Sequence, residues 1–217
     1  MRQVAALFVR ADSVYKTMPG VDAWDELRDA RRWPGGCPVV AHPPCKRWSS
    51  LNNLVLARYP HRAAEFAHGN DGGLFALALQ HIREHGGVLE HPAQTRAWRH
   101  FGLHAPAYMA WQRGVDGGWC IEVDQFLFGH PARKRTWLYA HGLATPPSVP
   151  SVPSVPSVPS GKVVRVYRKR NPDGSWSRTA ASEHNREISK RAAELTPPAF
   201  AEWLVDLARR CRVEVTA

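Results

Sequence analysis

The chain has 217 residues, 44% of them apolar, and 29 Lys and Arg against 19 Asp and Glu give a formal net charge of +10. That length holds one α/β domain plus an appendage, and the basic surplus favours a polyanionic partner through electrostatic attraction and counterion release. Four cysteines, Cys37, Cys45, Cys120 and Cys211, are too few for a disulfide scaffold and lack the close pairing of a cysteine metal site, so a reducing cytoplasm and no metal centre are expected.

The stretch from Met1 to Arg10 contains an apolar run too short to span a membrane and reads as a first strand. Asp12 to Gly20 supplies polar and turn residues. Val21 to Trp33 is charged enough to predict a surface loop or short helix, and Pro34-Gly35-Gly36 then breaks the chain. Val39-Val40-Ala41 is an apolar run halted by His42-Pro43-Pro44, the pattern of a buried strand emptying into a rigid loop, because proline fixes φ and donates no ladder hydrogen bond. The loop delivers Cys45 to the carboxyl end of that strand, the edge at which open α/β sheets bind ligands. A lone cysteine there is commonly just a small buried apolar residue, so chemistry at Cys45 requires support from elsewhere in the chain.

Leu74, Leu77, Ala78, His81 and Ile82 recur at helical spacing, and Gly86-Gly87 closes the helix after His85. Another strand follows at Val88. Strand, helix and strand in this order form a βαβ unit that puts Glu90 and Cys45 on one edge of a parallel sheet. Trp119 to Val123 and Thr136 to Ala140 read as two further strands flanking the basic turn Arg133-Lys134-Arg135. Residues 1–145 therefore form the main domain.

From Pro147 the chain repeats Ser-Val-Pro as far as Ser160-Gly161, and proline at every third position suits an extended polyproline conformer. Residues 146–161 read as a semi-rigid spacer. Within 162–194, alternating apolar and basic residues from Lys162 to Arg170 precede the turn Asn171-Pro172-Asp173-Gly174, the mark of a small basic hairpin. Arg165, Arg168, Lys169 and Arg170 suit phosphate, and Tyr167 and Trp176 suit bases; a solvated hairpin with its aromatics packed on the domain is an equal reading. Residues 195–217 read as a closing helix returning to the main domain, with Pro198 in its first turn and Phe200, Trp203, Leu204 and Leu207 on one face.

Pro43-Pro44-Cys45-x-x-Trp48-Ser49 resembles the catalytic loop of the DNA cytosine-C5 methyltransferases. Gly86-Gly87-Val88-Leu89-Glu90-His91-Pro92 is similar to their Glu-Asn-Val or Glu-Asn-Pro signature, and Phe128 to Leu138 to their Gly-x-Pro-Gln-x-Arg-x-Arg segment. Leu195 to Leu204 resembles the closing Val-Pro-Pro-x-x-Ala helix start. The four occur in family order, nearest to compact phage-type members.

The resemblance implies a Rossmann-like, methyltransferase-type sheet flanked by helices, with an antiparallel return and a small carboxyl-terminal recognition insertion. It implies DNA as partner and S-adenosylmethionine as cofactor. Cys45 would add to C6 of a flipped cytosine, Glu90 would donate or share a proton at N3, and Arg133 and Lys134 would hold the base carbonyl or a phosphate. Arg135, with the four basic residues of the hairpin, would contact DNA. The cofactor would lie against Phe8, Pro43 and the Pro197-Pro198 pair, with Asp22 or Asp25 as the acid that binds ribose.

The chain departs from the family pattern in several places. Family members follow the first strand with Phe-x-Gly-x-Gly-Gly, whereas Phe8 is followed by Val9-Arg10-Ala11-Asp12-Ser13 without glycine. The stretch from Phe8 to Cys45 is short enough to imply a lost strand–helix unit. His91 stands in place of asparagine and Ala132 in place of glutamine. Two alternatives accordingly stand beside methylation: transfer of a different group to pyrimidine C5 from another donor, and a non-catalytic DNA-binding relative.

Overall fold

The computed structural model describes residues 1–49, 52–150 and 190–213. Seven strands, β1 (Val4–Leu7), β2 (Val21–Trp24), β3 (Val39–Ala41), β4 (Gly87–Pro92), β5 (Gln112–Arg113), β6 (Trp119–Asp124) and β7 (Arg135–His141), form one mixed sheet in the order β2-β1-β3-β4-β7-β6-β5. The neighbours β2-β1-β3-β4 run parallel, and β7 returns antiparallel between β4 and β6. The helices are α1 (Asn52–Arg58), α2 (Ala63–Phe66), α3 (Leu74–His85), α4 (Arg96–His100), α5 (Lys190–Glu194) and α6 (Pro198–Arg210).

β1, β3 and the opening of β4 are apolar because both of their faces are covered, the usual condition of parallel strands. On one face Val4, Ala6, Val40 and Val88 pack with Phe200, Leu204 and Leu207 of α6. On the other, Ala5, Leu7, Val39, Ala41 and Leu89 pack with Phe75, Leu79 and Ile82 of α3. Each large aliphatic or aromatic side chain buried this way contributes roughly 1.5–3 kcal/mol. Gly87 opens β4 at φ +143°, and a Cβ there would collide with the Val39 carbonyl oxygen, so β3 and β4 meet at a position that admits no side chain.

The segment expected to be a loop or short helix, Val21 to Trp33, instead contributes β2 and a 3-10 turn over Ala30–Arg32. β2 is an edge strand, all four of its residues are half-buried, and an edge tolerates charge that a central strand does not. Asp22 is accommodated by Trp24 Nε1 at 2.8 Å and by the Arg28 guanidinium. The short spacing before Cys45 is met by joining β1 to β2 through a single 3-10 turn over Val14–Thr17, with Tyr15 fully buried beneath it.

The onset of the Ser-Val-Pro repeat lies on the domain: Trp111 Nε1 donates to the Pro147 carbonyl at 2.9 Å, and Val149 packs against the α6-side core. Most of the repeat and the basic hairpin, including Arg165, Arg168, Lys169 and Arg170, lie outside the described residues. The chain is helical again from Lys190, within the stretch read as the recognition region. No helix among the described residues is long and apolar enough to cross a membrane.

Candidate active site

β3 ends at Ala41, and His42 N still donates to the Leu7 carbonyl at 3.1 Å, which carries the loop straight off the sheet. Pro43 is buried while Pro44 and Cys45 are exposed. Cys45 opens a 3-10 turn over Lys46–Trp48. Trp48 pins that turn: it is buried, its ring lies 5.7 Å from Phe75, and its Nε1 donates to Asp71 at 2.7 Å. In the parallel register Ala41 pairs with Leu89, so His42 and Glu90 follow at the same level on adjacent strands, with Cys45 three residues beyond His42.

A chain of polar groups runs through this level. Tyr15 Oη is 3.0 Å from His42 Nε2, and His42 Nδ1 is 2.9 Å from Glu90 Oε2. Gln125 Nε2 donates to Glu90 Oε1 at 3.3 Å and to Thr136 Oγ1 at 2.9 Å. Burial, with Glu90 nearby, pushes the Tyr15 phenol well above its usual range, so its proton stays on and is offered to His42 Nε2. That network assigns the other imidazole proton to Nδ1, which donates it to Glu90. Burial by itself would raise the Glu90 pKa, but the hydrogen bond from His42, with Lys134 nearby, outweighs it and holds the carboxyl below its ordinary value. Glu90 therefore rests as a carboxylate, oriented by the His42 Nδ1 hydrogen bond.

Crowding around the sulfur and the Glu90 charge push the Cys45 thiol up, while Lys134 pulls it back. Lys134 Nζ donates to the Leu195 carbonyl at 3.0 Å, tying the basic turn to the approach to α6. Arg133 turns the other way: its Nε donates to buried Asp124 at 3.0 Å and its side chain is largely exposed. Arg135 is paired with buried Glu122. The turn leads into β7, where successive side chains point to opposite faces, and this separates Lys134 from the two arginines. Of the expected catalytic residues, Cys45, Glu90 and Lys134 are thus brought together and Arg133 is not.

Beside this group a cleft of about 1450 Å3 lies at the carboxyl ends of β1, β2 and β3, walled by Phe8, Asp25, Pro44, Leu74, Arg191 and Glu194 among others. Pro44 belongs both to this wall and to the Cys45 loop. Phe8 holds φ +59°, a left-handed conformation that favours glycine, directly after β1. Asp25 follows β2; its Oδ1 accepts from Leu27 N and Arg28 N and its Oδ2 from Lys16, bonds that lower its pKa, with Lys16 the largest cause. The other expected cofactor contacts, Asp22, Pro43, Pro197 and Pro198, do not line the cleft. Asp22 is paired on β2, Pro43 is buried beneath Pro44, and Pro197 caps α6.

His91 is fully buried, its Nδ1 is 2.7 Å from Thr95 Oγ1, and burial drives its pKa down to about 4. It is a neutral hydrogen-bonding side chain under the site, which is what an asparagine at the same place would be. Tyr15, His42 and Gln125 were not foreseen. His42 adjoins Pro43-Pro44-Cys45 and carried a signal in its position; Tyr15 and Gln125, remote in sequence, carried none.

Fold and site together define an α/β protein with a cysteine and a carboxylate presented side by side at the carboxyl ends of adjacent parallel strands. Compared with protein-family models, with curated proteins and with solved structures, the chain has no significant match.

Proposed function

We propose that this chain modifies C5 of cytosine in DNA in the manner of the cytosine-C5 methyltransferases, with Cys45 as nucleophile. The observation that carries the proposal is that Cys45 and Glu90 lie at the carboxyl ends of the adjacent parallel strands β3 and β4, where the charges of Glu90 and Lys134 both act on the thiol. The antiparallel β7 between β4 and β6, which the resemblance implied, supports the same reading.

C5 of cytosine is a poor nucleophile, and addition of the Cys45 thiolate to C6 turns the ring into an enamine whose C5 attacks an electrophile. Negative charge then develops toward N3. Glu90, held in place by His42 Nδ1, takes a proton from solvent and shares it with N3 to relieve that charge, and Lys134 stabilises the thiolate before attack. Loss of the C5 proton and of the thiolate restores the aromatic ring. The base must leave the duplex for the thiol to reach its face.

The cleft beside Pro44 suits S-adenosylmethionine in place and size. Phe8 offers an aromatic face, and Asp25 Oδ2, which accepts only from Lys16, keeps an acceptor position for a hydroxyl. When bound, that cofactor supplies an electrophilic methyl group. The prior engagement of Asp25 and the glycine-free loop favour, as the second reading, a different donor in the same cleft.

DNA carrying 5-fluorocytosine tests the proposal, because fluorine blocks the final proton removal and leaves the enzyme covalently attached. Trapping by the wild type with S-adenosylmethionine, mapped to Cys45 and lost in Cys45→Ala, is the expected result. Adducts at Cys37 or Cys120 overturn it.

A further inference from the structure

We propose that His81, Glu84 and His85 form a binding site for a zinc-type divalent transition-metal ion at the carboxyl end of α3. Their spacing, i, i+3 and i+4, puts all three on one face of the last helical turn. One ligand atom from each already lies within 4.8 Å of the other two, with no change in backbone.

The environment is arranged for a cation. Both ring nitrogens of His81 are buried and without a hydrogen-bond partner, whereas buried polar groups are nearly always satisfied. The Trp33 ring stands edge-on to both imidazoles at 5.0 Å and limits their rotation. Gly35 closes over His85 so tightly that a Cβ there would sit 2.8 Å from His85 Cε1. Arg83, which lies between the ligands in sequence, is directed instead to Asp116 at 2.7 Å and to Tyr139 Oη at 3.4 Å, which keeps its charge out of the cluster. The site also sits at the negative end of the helix dipole, where positive charge is stabilised.

Two imidazole nitrogens and one carboxylate oxygen are a donor set for zinc, cobalt, nickel or copper rather than for magnesium or calcium. Three ligands from one turn leave a coordination position for water, as in open zinc sites. α3 runs into the start of β4 at Gly87, so the site lies at the sheet edge opposite Cys45 and is independent of the chemistry proposed there.

The experiment uses the full chain stripped of metal and titrated with cobalt(II). A saturable visible absorption at one equivalent, displaced by zinc, is expected, along with a rise in Tm on adding zinc. His81→Gln or His85→Gln should weaken binding by about tenfold or more, as loss of a metal-supporting group does. Cys37→Ser and Cys45→Ser should bind as the wild type does. A further readout needs no variant: zinc should protect the partly exposed His85 of the wild type from diethyl pyrocarbonate, followed by mass spectrometry. Absence of a one-equivalent cobalt signal, its persistence in the double His81→Gln, His85→Gln variant, its loss in Cys37→Ser or Cys45→Ser, or no zinc protection of wild-type His85 overturns the site.

Discussion

His42 Nδ1 stands 2.9 Å from Glu90 Oε2, across the gap between two parallel strands whose ends carry the reactive groups. The contact does two things at once. It holds Glu90 ionised against the cost of burial, and it ties the carboxylate to the residue from which the Cys45 loop departs. Tyr15, behind His42, fixes the tautomer that makes the bond possible.

Removing the Glu90 charge should separate chemistry from thiol reactivity. Glu90→Gln is expected to lower the transfer rate on the order of a hundredfold or more, the worth of a positioned proton-transfer group. In the same variant the Cys45 thiol, no longer raised by the neighbouring carboxylate, should react faster with iodoacetamide at neutral pH. Lys134→Met should slow that alkylation. Its pH profile rises with pH, because thiolate is the reactive form, and should move to lower pH in Glu90→Gln. Identical alkylation rates in wild type and Glu90→Gln would refute the closeness of the two groups.

The His42 contact also predicts an acid limb of stability. Glu90 has a folded pKa depressed below 4.5, so its contribution is present above that value and is lost as pH falls through the folded pKa. His42→Asn should be less stable at pH 7 and lose less on acidification below pH 4.5. Tyr15→Phe, which leaves His42 Nε2 without its partner, should cost about 1–3 kcal/mol. Urea melts between pH 7 and pH 3 measure both.

His91 acts in a different window. Its folded pKa is about 4 against 6.5 when exposed, so the unfolded chain binds the extra proton and stability falls as pH drops from 6.5 to about 4. Across that interval the loss amounts to about 3 kcal/mol. His91→Asn should flatten this part of the stability curve. A curve as steep as that of the wild type would show that His91 does not titrate as a buried neutral group.

The basic residues should fall into two kinds. Half-exposed Arg135 donates to buried Glu122, which also accepts from Trp137 Nε1 at 2.8 Å, so Arg135→Gln removes one charge-assisted hydrogen bond and should lower Tm, an effect of about 1.5–3 kcal/mol. Joint neutralisation of Arg168, Lys169 and Arg170 should leave Tm nearly unchanged while flattening the salt dependence of DNA binding. An unchanged salt slope would mean that these three residues do not meet phosphate.

Phe8 tests the cleft. Phe8→Gly removes an aromatic face and relieves a left-handed backbone, so S-adenosylmethionine should bind about tenfold more weakly, the scale of one base-stacking contact, with little change in stability. Calorimetry with and without cytosine-containing DNA reads the affinity. No binding by the wild type in either condition, with fluorocytosine trapping intact, would shift the donor assignment to another molecule.

What the amino-acid sequence determined by itself was local and periodic. β1, β3 and the opening of β4 were legible because strand segments buried on both faces are runs of apolar residues, and α3 and α6 because one face repeats every three or four residues. Cys45 and Glu90 could be assigned to one sheet edge because each closes such a strand. β2 was hidden: an edge strand has charged and half-buried residues and shares its composition with loops.

Tertiary structure decided the rest, since it depends on which distant residues meet. Tyr15 reaches His42 across 27 positions, and Gln125 reaches Glu90 across 35, and neither approach leaves a trace in local pattern. The basic turn divided in the same way. Arg133, Lys134 and Arg135 are alike as a string of cations, but the alternation of the strand they enter and the buried acids Asp124 and Glu122 on β6 engage the two arginines and leave Lys134 to act on the thiol. The same holds for the two candidate acids: Asp22 lies within β2 opposite Ala5, whereas Asp25 follows the end of the strand and lines the cleft.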